Sequence, residues 1–257
     1  MDDYMSFKEF ENRYAKRIDT WVERILCDKL ATLIAYSLYV FLNKIRLLPY
    51  YVTIISFSLR LLTALLFFHG RYLQGAILYF LSMICDCTDG ILSRAYFGRD
   101  PELRGTLDVA FDQIGLSIVL VSLGFRFYSV GSNELILYLL FYVTIVFLYE
   151  FSAATRFRIF SKLSLDPDCS MLDSVRLPQN VEQSRIVKYY LKFHNVFESR
   201  GMIFYPTIVD SEFLLFVVAP VLRFPLSIVV ISLLVVAIEV IIGLSANIWS
   251  IINLKNM

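Results

Sequence analysis

Six apolar runs leave this chain few folds to choose from. They cover about residues 50–70, 72–93, 106–126, 134–154, 207–222 and 225–247. A helix of some 20 apolar residues crosses a bilayer, and a backbone in hydrocarbon must satisfy its own hydrogen bonds. The expected fold is an all-α integral membrane protein: six transmembrane helices preceded by an amphipathic interfacial helix. Composition agrees, since 58% of the 257 residues are hydrophobic and 16% aromatic. Mean hydropathy is +0.64, well above that of a soluble domain. The fifth run is the weakest, because Pro206, Asp210 and Glu212 crowd its start and Arg223 ends it. A formal net charge of +1 without a compact basic cluster speaks against a nucleic-acid partner.

The residues between the runs set the expected topology. Segments 1–49, 94–105, 155–206 and 248–257 hold 20 of the 24 lysines and arginines. Positive residues stay on the cytoplasmic side, so both termini and the connection after the second run are expected there, in a bacterial inner membrane or an endomembrane. Phe7, Phe10, Tyr14, Ile18, Trp21 and Ile25 recur at helical spacing among charged residues, which marks one amphipathic surface helix. Leu30–Leu42 is too short to span and reads as its continuation, giving an interfacial region 1–49 and a transmembrane domain 50–257. The acidic start, Met1-Asp2-Asp3-Tyr4, is not a secretory signal. A long polar insertion, 155–206, separates the fourth and fifth runs; within it Arg185–Ser199 is expected to form a second surface helix, a candidate lid. Cys27, Cys85, Cys87 and Cys169 lack metal-ligand spacing and read as free thiols.

Four aspartates sit where the second and third runs meet the cytoplasmic side. Asp86 and Asp89 are three apart, Asp108 and Asp112 four apart, so each pair shares one helix face. Carboxylates at the edge of hydrocarbon are costly and mark an ion or substrate site. Oxygen donors without nearby histidine or cysteine ligands favour a hard cation: Mg²⁺, Mn²⁺ or Ca²⁺. Mg²⁺ bound by carboxylates completes its shell with water and substrate phosphates. Gly90 leaves room for a ligand beside the backbone, and Arg94, one turn on, has a guanidinium suited to a phosphate.

The string Asp86-x-x-Asp89-Gly90-x-x-Ser93-Arg94, through Gly105 to Asp108-x-x-x-Asp112, resembles the signature of the CDP-alcohol phosphotransferase family. That signature reads Asp-x-x-Asp-Gly-x-x-Ala-Arg, eight residues, Gly, three residues, Asp, three residues, Asp. Pro49-Tyr50-Tyr51-Val52-Thr53 is similar to the family's Pro-Asn-x-(Ile/Val)-Thr. Departures are Ser93 for alanine, Tyr50 for asparagine, ten residues between Arg94 and Gly105, and two between Gly105 and Asp108. The resemblance implies that Asp86, Asp89, Asp108 and Asp112 hold two Mg²⁺ or Mn²⁺ ions, with Asp112 also the general base. Gly90, Arg94, Thr53 and Gly105 would contact the CDP portion. The implied reaction passes a phosphatidyl group from a CDP-linked lipid donor, CDP-diacylglycerol, to a small polar alcohol, with release of CMP for phospholipid synthesis. A CDP-linked headgroup passed to diacylglycerol is the alternative within the family. A homodimer in the lipid bilayer is also implied.

Arg156 and Arg158, with Arg185 and Arg200, lie where a phosphorylated acceptor could be received. Arg60 and Glu239 fall inside the first and sixth runs at similar depth and are expected to pair. Two other functions compete. An intramembrane prenyltransferase also reads Mg-diphosphate, but its aspartate motifs lie on distant helices. A cation transporter would place carboxylates at mid-membrane, with interrupted helices in matching halves.

Overall fold

The structure, a computed structural model, describes residues 5–15, 20–42, 45, 47–98, 102–162, 196–197, 199–203 and 205–254. Of these, 102, 150, 152–162 and 246–254 are described by backbone alone. Among the described residues the chain is helical without a β-strand. The helices are α1 (Phe7–Tyr14), α2 (Asp28–Phe41), α3 (Leu48–Phe68), α4 (Tyr72–Phe97), α5 (Glu102–Ser129), α6 (Asn133–Lys162), α7 (Ile208–Phe213) and α8 (Leu226–Leu254). Among the described residues four segments are long and apolar enough to cross a membrane: Leu48–Phe68, Tyr72–Phe97, Leu103–Ser129 and Leu226–Ser245. These match the first, second, third and sixth apolar runs. The fourth run lies in α6, whose apolar part is Asn133–Tyr149. The fifth is a composite: α7 continues through π-helical Leu214–Val218 and ends at Ala219–Val221.

The outward faces of the long helices stay apolar, with Ile54, Leu65, Leu73, Val121, Phe125, Phe147 and Ile241 exposed. Apolar surface of this extent needs a cover, and lipid supplies it. Inside, α3 packs along both α4 and α5, α6 along α8, and α2 along α4. The α3–α4–α5 group therefore brings the ends of the two aspartate-bearing helices to a common support.

The N-terminal region is not one continuous helix. α1 is capped by Ser6, whose hydroxyl accepts from the Glu9 amide, and it stops at Ala15, which is extended. The chain turns helical again at Trp21, where Thr20 and Glu23 form a reciprocal pair. The Thr20 hydroxyl accepts from the Glu23 amide at 3.3 Å and donates to its carboxylate at 3.1 Å. A Thr-x-x-Glu spacing is a helix-start signature, and here it restarts the chain into a π-helical turn (Glu23–Cys27) leading to α2. Phe10 is fully buried against Tyr14, Tyr36 and Tyr39. Trp21 donates to the Ile203 carbonyl at 2.7 Å and stacks on Phe197, and the Val22 amide donates to Asp210. Phe10, Tyr14 and Trp21 of the apolar face thus pack on the protein, whereas Phe7 and Ile25 are exposed and Ile18 lies outside the described residues.

The expected Arg60–Glu239 pair does not form. α8 lies against α6 and α7, whereas Arg60 on α3 faces α5 and pairs with Asp112. Glu239 instead accepts from the Ile208 amide, satisfying an open donor at the first turn of α7. Asp210 closes the same turn as a capping box with Thr207. Asp210, one of the two carboxylates that made the fifth run look weak, is thus a helix cap. Cys27, Cys85 and Cys87 are free thiols, as expected; Cys169 lies outside the described residues. Almost all of Arg185–Ser199 also lies outside them.

Candidate active site

α4 carries Asp86 and Asp89 to the end of the bundle and stops just beyond. Gly98 takes a left-handed conformation (φ +74) while its amide bonds back to the Arg94 carbonyl at 3.0 Å, a cap only glycine forms without strain. α5 then returns with Asp108 and Asp112 on successive turns. The carboxylates of Asp86, Asp108 and Asp112 each offer an oxygen within 4.8 Å of the others. Asp86 Oδ1 is buried with no hydrogen-bond partner. Three converging carboxylates with an unsatisfied buried oxygen suit a hard divalent cation, so these residues fit the expected metal.

Asp89 does something else. Its side chain is only 1% exposed, and both oxygens are engaged: Oδ1 pairs with Arg104, and Oδ2 accepts from the Thr53 hydroxyl at 2.5 Å. Arg104 is equally buried, and its Nη2 also lies 3.8 Å from Asp108 Oδ2. The Thr53 hydroxyl additionally lies 3.1 Å from the Pro49 carbonyl one turn back. A second arginine, Arg60, pairs with Asp112, whose side chain is 37% exposed.

Room for Arg60 comes from Gly115, one turn beyond Asp112. A Cβ there would come within 2.9 Å of Arg60 Cδ and 3.3 Å of its Cβ. Gly90 lies in open space: an added Cβ would meet only Arg94 Nη1, at 3.6 Å. That opening fits the expected close approach of a ligand. Arg94 itself donates from Nε to the Tyr14 carbonyl at 2.7 Å, tying the C-terminus of α1 to α4 beside the site. Gly105 is half-buried on the first turn of α5. The side chains of Arg156 and Arg158, on the last turns of α6, lie outside the described residues.

Next to the carboxylates opens a cavity of about 290 Å³, bounded by Glu23, Arg60, Asp86, Asp112, Tyr149 and Glu212. Glu212 accepts from the Tyr79 hydroxyl at 2.7 Å. Sequence reasoning missed Arg104, Gly115, Glu23 and Glu212 as parts of this site. For Arg104 a signal existed, its i,i+4 spacing to Asp108. Glu23 and Glu212 lie 63 and 126 residues from Asp86 and had none.

Residues 46–178, more than half of the chain, match the family model described as CDP-alcohol phosphatidyltransferase. The matched stretch holds α3, α4, α5 and α6, and with them all four aspartates and both buried arginines. No curated protein matches the chain.

Proposed function

The chain belongs to the CDP-alcohol phosphatidyltransferase family, and from that premise we propose that it moves a phosphatidyl group from CDP-diacylglycerol to a small polar alcohol and releases CMP. The observation that carries this reading is the convergence of Asp86, Asp108 and Asp112 around a buried, unpartnered oxygen. The family uses divalent metals, and these three residues would hold one. When bound, the ion supplies charge stabilisation to the diphosphate as its P–O bond breaks.

The protein's own groups divide the remaining work. Asp112 faces the cavity and takes the proton of the acceptor hydroxyl as its oxygen bonds to the phosphatidyl phosphorus. The bond to CMP breaks as the new one forms. Arg60 holds one oxygen of Asp112 and fixes its orientation, leaving the other turned to the metal site and the acceptor. Gly90 leaves space for the CDP portion, with Arg94, Gly105 and Thr53 around it. With α6 and the composite fifth run counted as passes the chain would cross the membrane six times, and the distribution of lysine and arginine supports a site at the cytoplasmic face.

Four carboxylates face the cavity against Arg60, which is already paired with Asp112. That lining favours a neutral or amine-bearing acceptor over a phosphorylated one. A phosphorylated acceptor would have to draw on Arg156 and Arg158 instead.

The test is CMP release by the purified full-length protein with Mg²⁺ or Mn²⁺ and CDP-diacylglycerol. The acceptor panel holds neutral polyols, amino alcohols and their phosphorylated forms. Release is expected with the first two classes and is lost in Asp108→Asn and Asp112→Asn. Full activity in both variants, or no release with any acceptor, rejects the reading.

A further inference from the structure

The four motif aspartates are not equivalent, and the difference lies in what already holds them. Asp86 has a buried oxygen with no hydrogen-bond partner. Asp89, one turn along the same helix, has none to spare. Thr53 takes one oxygen, and the Arg104 guanidinium takes the other and reaches toward Asp108. Arg104 sits among the most enclosed side chains of the molecule, at 1% exposure, so this contact is part of the packing.

Position sharpens the point. Counted back from Asp108, the signature places its glycine four residues earlier, and here that residue is Arg104, with the glycine displaced to 105. A position without a side chain has become one carrying a guanidinium. Arginine stays protonated at any working pH and offers donors only, so it is a fixed positive charge that cannot itself coordinate a metal.

Resting on the metal-binding reading above, we propose that Arg104 is a permanent cation of the metal centre. It occupies the place at Asp89 that a second divalent ion would need. The chain then carries one metal ion, held by Asp86, Asp108 and Asp112, where the resemblance implied two. A second ion at Asp89 would compete with the guanidinium for the same oxygens and be repelled by it at close range.

The experiment counts ions and needs no turnover. Full-length protein in lipid nanodiscs is titrated with Mn²⁺ and followed by electron paramagnetic resonance, with bound manganese measured after exchange. Wild type is expected to bind one ion per chain, with the sharp spectrum of an isolated centre. Arg104→Gly, and Arg104→Gln as a variant that keeps more of the packing, are expected to bind two, with spectra broadened by spin coupling. Two coupled ions in wild type would overturn the proposal while leaving the phosphotransferase reading in place. Variants that fold and still bind one ion overturn it as well. No bound ion in wild type removes the metal site and the proposal together.

Discussion

α4 buries two opposite kinds of chemistry along its length. At its start Gly75 lies under the ring of Phe67, which packs with Tyr72 and Phe224, and Phe224 in turn meets Phe127 edge to face. At its far end Asp86 and Asp89 meet Arg104 and the aspartates of α5. Rings held edge to face gain about 0.5–1.5 kcal/mol per pair beyond their area, and they require nothing from solvent. Buried carboxylates are the reverse: each needs a cation or a donor, and one left unsatisfied is open to a ligand. The same helix is therefore a stability element at one end and, under the proposed function, a reactive element at the other. Substitutions at the two ends should separate folding from activity.

The largest separation is expected at the reactive end. Asp112→Asn removes the proposed proton acceptor with little change in shape and should lower kcat by about 10²–10⁴-fold. Its unfolding midpoint in detergent should stay near that of wild type. An unchanged kcat would take the base role away from Asp112. Gly115→Ala comes next and links the two properties, because the new methyl meets Arg60 at 2.9 Å. It should cost about 1–3 kcal/mol of stability from overpacking. Loss of the positioning contact on Asp112 should lower kcat by about 10-fold or more. Steady-state kinetics and denaturant titration on one preparation would show whether both fall together.

At the aromatic end the effects are smaller and fall on stability alone. Gly75→Ala would press a methyl within 2.4 Å of the Phe67 ring, which is fully buried and has nowhere to move. A loss of about 1–3 kcal/mol is expected, with kcat and KM unchanged in the protein that remains folded. A parallel fall in kcat would show that the two ends of α4 are coupled. The smallest effect belongs to Arg126→Gln, which removes a long 3.4 Å bond to the Tyr72 hydroxyl. A change of about 0.5–1 kcal/mol, read as a small shift in midpoint, is the expected outcome.

Much of the site was legible without coordinates because its residues are close in sequence. Asp86, Asp89, Asp108 and Asp112 fall on the ends of neighbouring helices, and helical periodicity alone sets each pair on one face. Pairing across the bundle was not legible. Arg60 and Glu239 looked like partners because both lie inside apolar runs, but depth along a helix says nothing about rotation or neighbours. Glu23 and Glu212 joined the cavity wall through the docking of the N-terminal segment on α7, which no local pattern announces. The break in the N-terminal helix did have a local sign in Thr20-x-x-Glu23, outweighed in the reading by an unbroken apolar stripe.

By itself the sequence determined the membrane class and the chemistry of the motif. Long apolar runs admit one kind of backbone in lipid, and oxygen donors at fixed helical spacing select hard cations. Tertiary structure decided which carboxylates remain open. Asp86 and Asp89 are identical side chains three residues apart, yet packing placed Thr53 and Arg104 on one and left a buried oxygen bare on the other. Periodicity puts groups on a shared face, but only the neighbouring helices supply the charges and donors that satisfy them.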